Sequence, residues 1–166
     1  QVNALLPWDS GSGAKLYAGG RFTTAGSTTV NHISLWNGAA WAAVGTGLGT
    51  QVNALAGFDD GTGSALYAAG SFTNIAGTTF NRLARWNGIA WEPVGSGVNG
   101  NALADVPGTL PGKEPSLFVG GAFSSANGTT STRVARLRRP STCQDDLAPN
   151  LTFVTPLEGS AQGSST

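Results

Sequence analysis

Charge is scarce in this chain. Only 11% of its 166 residues are Asp, Glu, Lys or Arg, where a typical soluble protein carries about 25%, and the nine basic and nine acidic groups cancel. Such a surface has no electrostatic footprint for nucleic acid or anionic lipid, so neither is an expected partner. There is no methionine, and there are two lysines, one histidine (His32) and one cysteine (Cys143). A single cysteine cannot close a disulfide within the span. With one histidine beside it, the ligand clusters of zinc or copper sites cannot be assembled, and no cofactor is expected. No apolar run approaches the ~20 residues of a membrane-crossing helix, and the N-terminal residues lack the charged-then-apolar pattern of a signal peptide. An export signal, if the protein is exported, is expected to lie outside the chain.

What the chain has in quantity is glycine, 25 residues of it, among abundant Ser, Thr and Asn. That composition suits an exported, β-rich protein at the cell surface or outside the cell better than a cytosolic enzyme. It also repeats. Val2-Asn3-Ala4-Leu5 returns as Val52-Asn53-Ala54-Leu55, and Leu16-Tyr17, Phe22, Trp36-Asn37-Gly38 and Trp41 return as Leu66-Tyr67, Phe72, Trp86-Asn87-Gly88 and Trp91, every pair offset by 50. A third copy opens at Asn101-Ala102-Leu103, passes Leu117-Phe118-Val119-Gly120-Gly121 and Phe123, and stops after Arg133-Val134-Ala135-Arg136-Leu137 without Asn-Gly or tryptophan.

Each repeat reads as four short strands, with no sustained helical period. In the first they are a (Val2 to Leu6), b (Lys15 to Phe22), c (His32 to Trp36) and d (Ala40 to Val44). Asn37-Gly38 and Asn87-Gly88 are the residues a two-residue type I′ hairpin demands between c and d. In that register Trp36 faces Ala39 and Ser34 faces Trp41, making the two tryptophans diagonal neighbours on one face. A four-stranded unit of this size cannot bury both its faces alone, so units must stack. Radial stacking makes a β-propeller; the competing parallel β-helix has much shorter rungs and no need of Asn-Gly hairpins.

The double glycines (Leu16-Tyr17-Ala18-Gly19-Gly20; Leu117-Phe118-Val119-Gly120-Gly121), with a tryptophan some twenty residues beyond the first, resemble kelch repeats, the blades of galactose-oxidase-like propellers. The fuller pattern, GGRFTTAG, then NHISLWNGAAWAAVGTGL, then VNAL, is similar to the repeats of fungal cortical polarity-marker proteins and of many secreted bacterial surface proteins. The resemblance implies blade architecture over residues 1 to about 139, and says little of activity. Ala69-Gly70 departs from the double glycine.

The expected organisation is blade 1 at residues 1–50, blade 2 at 51–99 and blade 3 at 100–139, the last lacking its fourth strand. A linker at 140–147 and a tail at 148–166 follow, the tail resembling the start of an Ig-like domain. Propellers close with about four to eight blades. Three blades, an initial a strand and an unfinished third sheet are expected to form part of a larger ring, completed by upstream blades and an upstream d strand. The alternative is completion by further copies of the chain, for example two sets of three blades.

No catalytic, metal or ligand-binding residue is assigned from the sequence. His32 corresponds to Arg82 and Arg133 and reads as a polar strand position. Tyr17 and Tyr67 occupy repeated core positions. Asp9, Asp59 and Asp60 lie in Asp-rich a–b turns and read as turn chemistry. Arg133 and Arg136, matching Arg82 and Arg85, read as bonding between blades, and Arg138 and Arg139 as a solvated exit. Asn127 and Asn150 stand in glycosylation acceptor patterns. The polar b–c and d–a connections, expected to be flexible, emerge at one end of each blade and tile a surface suited to glycans or protein. The expected function is therefore a non-catalytic binding or structural module in adhesion. The alternatives are a fragment of a secreted carbohydrate-active enzyme with its catalytic residues elsewhere, and a self-assembling surface or filament subunit.

Overall fold

The computed structural model describes residues 1–108, 116–131, 133–138 and 152–154. Among them there is no helix. The elements are β1 (Val2–Trp8), β2 (Lys15–Gly20), β3 (Thr24–Ala25), β4 (Thr28–Thr29), β5 (Ile33–Trp36) and β6 (Trp41–Ala43). The second repeat gives β7 (Val52–Asp59), β8 (Ser64–Gly70), β9 (Asn74–Ile75), β10 (Thr78–Thr79), β11 (Leu83–Trp86) and β12 (Trp91–Pro93). The third gives β13 (Asn101–Gly108), β14 (Ser116–Ala122), β15 (Ser125–Ala126), β16 (Thr129–Thr130), β17 (Val134–Arg138) and β18 (Thr152–Val154).

Three antiparallel four-stranded sheets result, ordered β1-β2-β5-β6, β7-β8-β11-β12 and β13-β14-β17-β18. They fan: β7 lies beside β1 on one side and β13 on the other, so the first strand of each sheet is the hub edge. These are β-propeller blades. We call the side of a blade that faces the preceding one its leading face, and the opposite side its trailing face.

Strand periodicity assigns side chains to the two faces. On blade 1, Tyr17 and Ile33 point to the trailing side, with Val44 and Leu48 beside them. They form one cluster with Val52, Leu55, Phe72 and Trp91 of the leading face of blade 2. The trailing Ala56, Phe58, Tyr67 and Leu83 of blade 2 meet Leu117, Val119, Phe123 and Leu137 of blade 3 in the next cluster. Burying each such large side chain contributes about 1.5–3 kcal/mol, and blade 2, apolar on both flanks, is what holds the fan together.

The double glycine has a steric cause. A Cβ on Gly19 would stand 2.6 Å from Cγ1 of Val52. Pairing sets Val52 against Gly70 and Ala102 against Gly121, so Ala102 holds the register position of Val52 one blade later.

Two expectations are corrected. Trp36 pairs directly with Trp41, and Trp86 with Trp91. Residues 37–40 form a four-residue connection in which Asn37 Oδ1 accepts the amides of Ala39 and Ala40, both at 3.0 Å. Gly38 has φ 102° while Asn37 is not left-handed; the asparagine caps the turn through its side chain. The two indoles therefore sit directly opposite, ring centroids 5.6 Å apart in blade 1 and 5.3 Å in blade 2.

The third sheet also has a fourth strand. β18, from the tail assigned to an Ig-like domain, pairs with β17 through Arg136↔Val154, Leu137↔Phe153 and Arg138↔Thr152. Leu137 and Phe153 thus hold the register of the tryptophan pairs, and the edge expected to receive an upstream strand is occupied. The linker 140–147 and the rest of the tail, with Arg139, Cys143 and Asn150, lie outside the described residues.

Candidate functional site: the hairpin end of the blades

The b–c connections are folded hairpins, contrary to the expectation of flexible loops. β3 pairs with β4, β9 with β10 and β15 with β16. Ala76 and Gly77 have φ of 50° and 89°, and Asn127 and Gly128 of 49° and 76°, so the paired positive angles of type I′ turns occur here. Buried Ile75 and Ala126 root the hairpins in the blades, and Thr28 Oγ1 donates to the Trp41 carbonyl at 2.9 Å.

The d–a connections lie against these hairpins. Within blades, Asn31 Nδ2 donates to the Thr46 carbonyl at 3.2 Å and Asn81 Nδ2 to that of Ser96 at 2.8 Å. Between blades 2 and 3, Asn127 Oδ1 accepts the Ser96 amide and Asn99 Oδ1 those of Ser124 and Ser125, each at 2.9 Å. The Asn127 amide in turn donates to the Gly97 carbonyl at 2.8 Å. Asn127, read as a glycosylation acceptor, has its side-chain oxygen engaged in blade stitching.

The result is a fixed polar surface. Thr29, Thr79 and Thr130 are equivalent and exposed, as are Thr23, Thr73 and Ser124. Near blade 3, Asn99, Ala122, Phe123, Ser124 and Arg133 line a cavity of about 680 Å³. Asn99 and Ser124 were missed in the sequence, because only the fold brings residues 25 apart together across a blade boundary.

His32, Arg82 and Arg133 are not strand residues as expected. They immediately precede strand c, with left-handed φ of 66°, 71° and 67°. Burial pushes the His32 imidazole below its usual range, and the Arg21 guanidinium acts the same way against an opposing backbone hydrogen bond at Gly20. Its Nδ1 is buried without a hydrogen-bond partner. Arg82 Nη1 donates to the Val98 carbonyl at 3.2 Å. Among the described residues no three His, Cys, Asp or Glu side chains gather as a metal site requires.

The carboxylates separate into two kinds. Asp9 Oδ1 accepts the amides of Gly11 and Gly13 at 2.7 and 3.0 Å, and Asp59 does the same for Gly61 and Gly63 at 2.8 and 3.2 Å. Asp60 is no simple turn residue. It is buried; Arg85 Nε lies 2.8 Å from its Oδ2, which also accepts the Tyr67 hydroxyl at 2.8 Å. Thr62 donates to its Oδ1 from both hydroxyl and amide, at 2.6 and 2.9 Å. Burial pushes the Asp60 carboxyl up, but the Thr62 and Tyr67 hydrogen bonds and the Arg85 charge outweigh it and hold it below its usual value. Burial and the same carboxylate raise the Tyr67 hydroxyl well above the normal tyrosine range. Arg85 reaches on to Glu92 at 3.1 Å, inside its own blade and not between blades as expected. Arg136 Nε donates to Ser116 Oγ at 2.8 Å, again within one sheet.

A family model described as Domain of unknown function (DUF5122) beta-propeller matches residues 116–139. That segment holds β14 and β17, the two inner strands of the third sheet, and the β15–β16 hairpin between them. No curated protein and no solved structure matches the chain.

Proposed function

We propose that this propeller is a non-catalytic binding or structural module of the cell surface or extracellular space, engaging glycan or protein through its hairpin end. The observation that carries the reading is the repeated hydroxyl display: equivalent Thr and Ser side chains project from three hairpins that are rooted in the blades and, between blades 2 and 3, stitched to the neighbouring connection. A fixed array of neutral donors and acceptors is suited to neutral, repetitive ligands, because little ordering entropy remains to be lost on binding. The cavity lined by Asn99, Ser124 and Arg133 together with Ala122 and Phe123 offers both polar and apolar groups, as small-molecule sites do. The kelch-like repeats, and their resemblance to secreted surface proteins, favour the same placement.

The titratable groups favour binding over catalysis. Among the described residues, Asp9 and Asp59 are committed to turns, Asp60, Tyr67 and Arg85 bind one another, Glu92 is held by Arg85, and His32 Nδ1 is buried without a partner. Glycan-array binding by the intact protein, reduced by Ser124→Val or Arg133→Ala, tests the reading. Turnover of a polysaccharide would sink it; an array without signal would remove glycan and leave protein as the ligand.

A further inference from the structure

Repeats allow one face to be compared with its own equivalent. On the leading face of blade 2, Val52 is 0% and Leu55 8% exposed because blade 1 lies on them, whereas their equivalents Val2 and Leu5 on blade 1 are 55% and 61% exposed. Around Val2 and Leu5, the side chains of Ala18, Phe22, Ser34 and Trp41 line an apolar depression of about 320 Å³. In blade 2 the corresponding hollow is filled by Tyr17 and Ile33, which share one cluster with Val52, Leu55, Phe72 and Trp91.

The matching half stands at the other end of the fan. Leu83 on the trailing face of blade 2 is 3% exposed under blade 3, while Val134, at the same position of blade 3, is 42% exposed. Phe118 holds the register position of Tyr17 and Tyr67, each paired with the corresponding residue of strand c: Arg136, Leu35 and Arg85. Blade 3 thus presents an aromatic and an aliphatic side chain where blades 1 and 2 present those that fill the hollow.

We propose that the two free faces cover one another between two copies of this chain. The trailing face of blade 3 of each copy packs on the leading face of blade 1 of its partner, and the two contacts close a six-bladed ring. Such a contact is heterologous, and heterologous contacts close when the rotation per unit divides a full turn; six blades lie inside the range in which propellers close. A contact between two leading faces is excluded by shape, since it sets two hollows together and leaves Val134 in water.

Light scattering coupled to size exclusion, run over a range of concentrations, tests the proposal. The chain is expected at twice its 16.7 kDa mass. Leu5→Arg blocks only the leading face and Val134→Asp only the trailing face. Both side chains are exposed in the single chain, so circular dichroism is expected to be unchanged. Each variant alone should be a monomer, its dissociation constant raised at least about 30-fold, the scale of losing an interface hot spot. An equimolar mixture of the two should regain a 1:1 pair, because each supplies the face the other lacks. A wild-type chain that stays monomeric overturns the proposal and leaves these faces to repeats outside this chain. A dimer that survives Val134→Asp overturns it in favour of a different contact.

Discussion

The indole Nε1 of Trp91 donates a 3.0 Å hydrogen bond to the backbone carbonyl of Val44, across the boundary between blades 1 and 2. Its neighbour Trp86 covers Gly45, the next residue along. The tryptophan pair is therefore a clamp: blade 2 grips the outer strand of blade 1 through an apolar surface and one directed bond. Asn3 Nδ2 to the Val52 carbonyl, at 2.8 Å, ties the hub edge of the same boundary.

Removing the directed bond alone should be measurable. Trp91→Phe keeps most of the apolar surface but leaves the Val44 carbonyl without its donor, an expected loss of about 1–3 kcal/mol. Trp91→Ala adds a cavity and should lose about 3–5 kcal/mol. Because repeat proteins are stabilised through nearest-neighbour contacts, hydrogen exchange should show protection falling mainly in β1 to β6. Equal loss in β13 to β17 would contradict the clamp.

The Asp60 network predicts a non-additive pair. Asp60→Ser alone leaves Arg85 with the half-exposed Glu92 as its remaining carboxylate and takes the acceptor from the buried Tyr67 hydroxyl, at a cost of about 1–3 kcal/mol. Blade 1 manages without the pair: Ser10 and Leu35 hold the equivalent positions, and Leu35 pairs with Tyr17. The double variant Asp60→Ser/Arg85→Leu should recover most of the loss in urea denaturation. Additive losses would mean that the pair is not the unit that matters.

The same network sets a pH dependence at both ends. Asp60 is held below its usual value, so its contribution is complete above about pH 4 and is lost as pH falls through the folded value. Tyr67 is raised, so its contribution is complete below about pH 10, where the unfolded phenol begins to ionise, and is lost above it. Urea midpoints should fall at both extremes, and less steeply in the double variant. Identical profiles would remove the network as the cause.

The fold was legible where one residue type reports one geometry. The fifty-residue period, the apolar runs and the need to stack announced blades before any coordinate. Asn-Gly was ambiguous because asparagine can either adopt a left-handed backbone or cap a turn with its side chain; Asn127 does the first and Asn37 the second. The hairpin strands, two residues each, are too short to carry a period. Asp60 looked like its neighbour Asp59 because Arg85, the residue that distinguishes it, is 25 positions away. β18 followed a change of composition after Pro140, which local reading took for a domain boundary.

Gly47 and Gly38 separate two reasons for glycine. Both have positive φ, 72° and 102°. A Cβ on Gly38 meets nothing within 4 Å, whereas one on Gly47 would collide with the backbone carbonyl of Asn31. That carbonyl accepts the Leu48 amide at 2.9 Å, so it cannot retreat without breaking the tie between the d–a connection and strand c. Gly38→Ala should therefore lose only the conformational term, about 1 kcal/mol. Gly47→Ala should lose that plus about 1–3 kcal/mol of overpacking. Gly97 repeats the geometry against Asn81 in blade 2, and Gly97→Ala should behave like Gly47→Ala. Thermal or urea unfolding that ranks Gly38→Ala as the most damaging of the three would show that turn conformation, and not close packing of the connection, governs this end of the blade.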